Sequence, residues 1–314
     1  MSLADKIFID MCKDIIIDGT DTKGQEVRPC WPDGTPAYTI KKFGVVNRYD
    51  LRKEFPAITL RKTNIKAAFD EILWIFKKKS NNIHDLTPHI WDEWADETGS
   101  IGKAYGYQIR RIYTHHKDKD FCSGSIISSA KMFTEKYKDY PSATLNNKGI
   151  VSMDQIDSVI YDLKHTPFSR RIMMHTWNFE ELHEMNLQPC CWSMTFNVTD
   201  EGKDKLVLNM VLNQRSNDVL AANSWNVVQY ALLLMMIAQV CNMEAGELVH
   251  VITDAHIYDR HVKIVKEIIK RPTYDAPKVW LNPEIKDFYK FTVDDLHVEN
   301  YEVGGPQVKF EVAI

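Results

Sequence analysis

Between Asn64 and Lys78 the apolar residues Ala67, Ala68, Ile72, Leu73 and Ile75 recur at helical spacing, which predicts a helix with one buried face. Glu71 lies among them, so its carboxylate is either at the helix edge in water or buried for a purpose. Lys6 to Asp18 has the same period, and Gly19 suits its C-terminal stop. Tyr38 to Asp50 mixes β-branched and apolar residues around Gly44 and reads as a strand. Met153 to Lys164 reads as a helix and Arg171 to Trp177 as a strand. Ser193 to Val198 and Lys205 to Leu212 alternate with period two, and Asp200-Glu201-Gly202 between them signals a hairpin. A helix over Trp225 to Val240, a strand over Leu248 to Ile252, a helix over His261 to Lys270 and a closing strand over Val308 to Val312 complete the pattern. Strands and helices alternate irregularly, which predicts an α+β fold: one domain over 1–314, with a mixed sheet covered by helices.

One segment breaks the pattern. Residues 114–149 are rich in Lys, Asp, Ser and Tyr and carry Pro141 and Asn146-Asn147, without a long clean period. They read as a surface insertion with one short helix near Ala130 to Tyr137. The longest apolar run, about Val227 to Cys241, contains Gln229 and Gln239 and is shorter than the roughly 20 residues a bilayer needs, so it reads as a core helix.

Bulk properties narrow the class. The chain is 314 residues long, enough for a sizeable core without covalent staples. A net charge of -4 argues against a general nucleic-acid surface, which is basic, but leaves room for local arginine pockets. The six cysteines include no C-x-x-C pair, so zinc and thioredoxin-like chemistry are not indicated and no metal is expected. The N-terminus lacks the layout of a signal peptide, and free thiols persist in a reducing compartment, so the cytoplasm is expected.

The chemistry concentrates around Cys190. Ser169-Arg170-Arg171 and Gln188-Pro189 precede it, and Gln214-Arg215-Ser216-Asn217-Asp218 and Asn226 follow. A thiol attacks only as the thiolate, which nearby guanidinium groups favour, and arginine grips phosphate in a bidentate way. A lone cysteine is more often a small buried hydrophobe, but one among several arginines points to covalent catalysis on a phosphorylated substrate. Asn226 carries both a donor and an acceptor on one amide, although asparagine also caps helix starts well.

These blocks, with Glu71-Ile72-Leu73-Trp74, Ile90-Trp91-Asp92-Glu93-Trp94, Tyr105-Gly106, Asp254-Ala255-His256-Ile257-Tyr258 and the terminal Val312-Ala313-Ile314, stand in an order that resembles the thymidylate synthase family over nearly the whole chain. The resemblance implies reductive methylation of dUMP to dTMP, with methylenetetrahydrofolate as co-substrate and no metal. It implies a homodimer whose sheets pack back to back. Cys190 would be the nucleophile, with Glu71 and Tyr105 handling protons. Arg28, Arg170, Arg171, Arg215 and Ser216 would grip the phosphate, Arg170 and Arg171 reaching into the partner's site. Asn226 would read the base, and His256 and Tyr258 the ribose. Trp91, Trp94, Asp218 and Ala313 would contact the folate.

The sequence departs from the family in three places. Residues 114–149 are commonly shorter there, Cys191 stands where many relatives carry histidine, and Ala222 and Ser224 replace the usual glycine and proline before Asn226. The last departure keeps open a dUMP or dCMP hydroxymethylase of the same fold. A catalytically silent nucleotide- or RNA-binding relative is a third reading, opposed by the joint presence of Cys190, Glu71 and Tyr105 and by the acidic balance.

Overall fold

A computed structural model describes residues 1–121 and 126–313, residues 126–129 by their backbone. Cys122 and the terminal Ile314 therefore lie outside the described residues. The strands are β1 (Thr20–Asp21), β2 (Thr39–Asp50), β3 (Tyr113–Lys117), β4 (Thr144–Leu145), β5 (Ile150–Met153), β6 (Met173–His175), β7 (Cys191–Thr199), β8 (Val207–Gln214), β9 (Asn217–Asp218), β10 (Glu244–Tyr258), β11 (Lys278–Leu281) and β12 (Leu296–Glu299). The α-helices are α1 (Leu3–Asp18), α2 (Ile65–Ile72), α3 (Gly106–Ile109), α4 (Ile126–Lys136), α5 (Gln155–His165), α6 (Ser224–Val240) and α7 (Val262–Ile268).

The central sheet runs β1-β2-β10-β8-β7-β6, with β9 also paired to β10. It is mixed as expected: β10 is antiparallel to β2 and parallel to β8, while β7 and β8 are antiparallel. The Asp200-Glu201-Gly202 hairpin joins β7 to β8, with Gly202 at φ +69° and its N–H bonded to Asp200 Oδ1. One face of the sheet is covered by α1 and α6, and α2 packs on α6. Helix α6 is apolar nearly all round and mostly buried, as a helix enclosed between sheet and helix must be. On the opposite face runs the cross-strand row Met173, Thr195, Val211 and Val249, and Met173 and Val46 are exposed.

Helix α2 carries Glu71 into the core and begins at Asn64, whose Oδ1 accepts the N–H of Ala67 at 3.2 Å. It continues as a π-turn over Leu73–Lys77, a widening that lets Trp74 and Phe76 both be fully buried. Asn64→Ala should cost about 1 kcal/mol, since it removes one cap. The expected readout is a fall in melting temperature of about 2–4 °C, and an unchanged value would show that tertiary packing alone holds this start.

The segment 114–149 holds a short helix, α4, and further order: β3 and β4 pair with β5 in a three-stranded sheet, and Tyr137 and Tyr140 are buried. Tyr137 stacks on Tyr161 of α5 at 5.8 Å, so aromatic packing fastens the segment to the domain. One expectation needs correction: Val308–Val312 forms no strand. The tail is held in irregular form by side chains: Arg260 pairs with Glu311 at 3.0 Å, and His261 Nε2 lies 2.8 Å from the Glu311 carbonyl.

Candidate active site

Cys190 sits one residue before β7, at a point where the β7–β8 register slips between Cys191 and Ser193. Such a bulge turns the strand end and re-aims its first side chain. Arg215 clasps the same corner from the end of β8. Its backbone N–H donates to the Cys190 carbonyl at 2.9 Å, and its guanidinium donates to the carbonyls of Pro189 (3.1 Å) and Gln188 (2.8 Å). Burial pushes the Cys190 thiol up, and Arg215 and Arg28 pull it down without offsetting that. Desolvation therefore favours the thiol over the thiolate, against the activation expected from the arginines alone.

Tyr105 reaches the same corner, and its hydroxyl accepts the backbone N–H of Cys190 at 3.1 Å. Its own backbone is at φ +44°, a costly conformation for a tyrosine. Gly106 explains the motif: a Cβ there would lie 2.1 Å from the Ser80 carbonyl oxygen, so only glycine permits that approach.

Glu71 is buried, and its two oxygens accept the indole N–H groups of Trp91 (2.9 Å) and Trp225 (2.6 Å). Burial pushes its carboxyl up, and the hydrogen bonds from Trp225 and Trp91 oppose this incompletely. Glu71 is thus not a solvent-facing helix carboxylate. Trp91 also packs edge-on to Tyr105 (5.2 Å) and to the half-buried Trp94 (5.6 Å), so one aromatic wall joins Glu71 to Tyr105.

Asn226 lies in the first turn of α6. Its Oδ1 accepts from Gln214 Nε2 and its Nδ2 donates to Gln229 Oε1, both at 3.0 Å. It caps no helix N-terminus. Instead one lone pair and one N–H stay available, a donor-acceptor pair on one amide edge. His256 stands opposite Asp218 across β9 and β10, bonds Asp254 through Nδ1 at 2.9 Å and meets Tyr258 edge-on at 5.1 Å. Tyr258 lies within the fields of Asp218, Arg28 and Cys190, and burial raises its hydroxyl to about 12. This links the β10 end to the cysteine corner.

Asp218 caps the turn Val219–Asn223, its Oδ1 accepting from Leu220 (3.0 Å) and Ala221 (3.1 Å). The substitutions in this turn are accommodated. Ala222 has no positive φ, and Ser224 sits at φ -64°, the value proline would impose. Buried Arg61 donates to the Leu220 carbonyl and approaches Ser224 Oγ at 3.3 Å, bracing the turn.

Some expected residues are not drawn together within this chain. Arg170 and Arg171 are exposed and make no side-chain contact with the Cys190 corner. Arg28 is exposed and acts on Cys190 only through its field. Ser216 is half-buried, with its carbonyl bonded to Gln214 Nε2. Ala313 is half-buried beyond the anchored Glu311. Among the described residues, no group of three His, Cys, Asp or Glu side chains is placed to share a metal ion. A cavity of about 530 Å³ lined by Phe55, Met235, Pro277 and Trp280 shares no residue with this site.

Sequence reasoning missed three contributors. Trp225 has no role in the sequence reading beyond opening a predicted helix, yet its indole bonds Glu71. Gln229 counted only as a polar interruption of an apolar run, yet it holds Asn226. Trp31, which packs under Arg260 at 4.8 Å and donates to Asp259, helps fasten the turn that grips the tail. The polar residues in the apolar α6 were the available signal for the second.

The family model described as thymidylate synthase matches residues 6–314. Thymidylate synthase 1 of Bacillus subtilis (strain 168) is 37% identical over 318 residues, covering 100% of both chains. The thymidylate synthase of Bacillus phage phi3T is 36% identical with the same coverage. Among solved structures, the thermostable thymidylate synthase A from Bacillus subtilis superposes with a TM-score of 0.80 at 36% identity, covering 99% of each chain.

Proposed function

The chain belongs to the thymidylate synthase family, folate-dependent one-carbon transferases that reductively methylate dUMP to dTMP, and from that premise we propose how its residues divide the work. The observation that carries the reading is the meeting of Cys190, Arg215 and Tyr105 at one corner, linked electrostatically to Arg28 and Tyr258. Arg28, Arg215 and Ser216 hold the phosphate, His256 and Tyr258 the ribose hydroxyl, and Asn226 the uracil edge. The Cys190 thiolate adds to ring carbon 6, which makes carbon 5 an enolate carbon nucleophilic enough to take a one-carbon unit. Methylenetetrahydrofolate, consumed as co-substrate, supplies that carbon and a hydride. Tyr105 and Glu71 move protons at carbon 5 and at the uracil carbonyl, a task suited to a carboxyl whose affinity for protons burial has raised. Trp91, Trp94 and Asp218 line the folate side. Ala313 travels with a tail whose closure keeps water from the methylene intermediate.

Arg170 and Arg171 complete the phosphate grip of a second subunit in a homodimer. Their exposure and the sheet face through Met173, Val211 and Val249, on which Met173 is exposed, support this, since that face needs a cover. The family is one of soluble enzymes, and free cysteines support a cytoplasmic setting. Among the described residues one helical stretch, Val219–Val240, is long and apolar enough to cross a membrane, but it is largely buried within the fold.

The test is to incubate the protein with dUMP and methylenetetrahydrofolate and identify the nucleotide product. A methyl product is expected; a hydroxymethyl product or none would overturn the reading. Asn226→Asp should shift preference toward dCMP by about tenfold to a hundredfold, because a mismatched buried pair costs about 1–3 kcal/mol. Comparison of kcat/KM for both nucleotides in both proteins checks this, and an unchanged ratio would mean that something else reads the base.

A further inference from the structure

His250 lies on β10 with its ring fully buried, and its hydrogen-bond partner among the described residues is Gln214. Gln214 makes four side-chain hydrogen bonds. Its amide nitrogen lies 3.0 Å from the Ser216 carbonyl oxygen and 3.0 Å from Asn226 Oδ1. Its Oε1 lies 3.0 Å from Asn217 Nδ2 and 2.7 Å from His250 Nε2. A side-chain amide keeps its shape when turned end for end, so the polarity of such a network needs a fixed reference. The Ser216 backbone carbonyl is that reference, because it can only accept. Gln214 must therefore turn its NH2 toward Ser216 and Asn226, and its oxygen toward His250 and Asn217.

It follows that His250 Nε2 carries the proton. Nδ1, which is buried and has no hydrogen-bond partner among the described residues, is then a bare lone pair. The other tautomer would leave a buried N–H unpaired, the rarer and costlier outcome. Burial holds the imidazolium down at about 3, so the ring stays neutral at working pH and keeps a single proton to place.

We propose that His250 is a positioning residue for base selection: its Nε2–H, together with the Ser216 carbonyl, holds the Gln214 amide in one orientation and so helps set which end of the Asn226 amide faces the pyrimidine. The inference rests on Asn226 reading the base. With Oδ1 turned toward Gln214 and Nδ2 toward Gln229, the remaining lone pair meets a ring N–H and the remaining amide proton meets a carbonyl. That is the uracil edge. Turned over, the same side chain fits cytosine, whose ring nitrogen accepts and whose amino group donates. A lock on amide polarity is thus a lock on base identity, held by a residue that touches neither substrate.

The experiment compares His250→Phe, which keeps the ring's bulk without the donor, with His250→Gln, whose amide can donate to the same oxygen. Dissociation constants for dUMP and dCMP are measured by calorimetry, together with kcat and KM for dUMP. The Phe variant should lose about tenfold in its preference for dUMP over dCMP, the scale of one net hydrogen bond, and the Gln variant should recover it. A merely structural role would lower the melting temperature and weaken both nucleotides alike. An unchanged dUMP:dCMP ratio in a folded His250→Phe overturns the proposal. Should that variant not fold, long-range ¹H–¹⁵N spectra of the wild-type imidazole decide: the Nε2–H tautomer is expected, and the Nδ1–H tautomer overturns it. A wild-type protein that fails to methylate dUMP sinks the functional reading instead, and the tautomer measurement still judges His250.

Discussion

Cys190→Ser should lower dUMP turnover by at least about a thousandfold while leaving nucleotide binding largely intact. The thiol already stands in a site where burial outweighs Arg215 and Arg28 and favours the protonated form. A serine hydroxyl is a far weaker acid, so the alkoxide needed for addition at ring carbon 6 is effectively absent. The phosphate, ribose and base contacts involve other side chains, and Arg215 holds the corner through backbone carbonyls that the substitution leaves in place. Product formation and the dUMP dissociation constant, measured separately, check both halves; near-normal turnover would remove Cys190 from the mechanism. Cys191→Ser provides the contrast. That thiol is buried beside Tyr230, and burial, with the neighbouring Cys190, pushes it well above its ordinary value. Its loss should cost far less, and comparable damage from both variants would mean that the wrong thiol has been assigned.

Glu71→Gln should reduce kcat/KM by about 10²–10⁴, the usual range for removing a proton-transfer group. It should also change how stability depends on pH. The Glu71 carboxyl is raised above its unfolded value chiefly by burial, against the opposing indole hydrogen bonds. Its contribution is therefore fully present below the ordinary glutamate value of about 4.3 and is lost as pH rises through the raised value. The glutamine variant has no proton to lose, so its melting temperature should fall less than the wild type's across that window. It gains no uniform advantage, because its NH2 must face one of the two indole N–H groups of Trp91 and Trp225. Melting curves over that pH range check the slope. Parallel curves with activity retained would return Glu71 to a structural role.

The sequence by itself determined the parts of this protein that depend on local pattern and on chemical identity. Helical spacing marked α2 and α1, period-two alternation with a Gly turn marked the β7–β8 hairpin, and a thiol among arginines marked the cysteine corner. These signals survive because side-chain period and turn chemistry act over a few residues. The family's ordered blocks then named the reaction.

Only the tertiary structure decided what depends on residues far apart in the chain. Glu71 reads the same on a solvated helix as in a core; its burial is settled by Trp225, 154 residues away. The 114–149 segment has a polar composition, yet β5 beyond its end supplies the strand partner that orders it. The tail has a strand's composition, but side chains at Arg260 and His261 hold it before any strand edge does. The protonation of Cys190 also turned on tertiary structure, since arginine neighbours are visible in sequence and desolvation is not. His250 makes the point most fully: on β10 it is the polar residue in the apolar run Leu248–Ile252, and its role exists only because folding places its Nε2 2.7 Å from Gln214. Local propensity is written along the chain, whereas dielectric environment and hydrogen-bond polarity are properties of the packed whole.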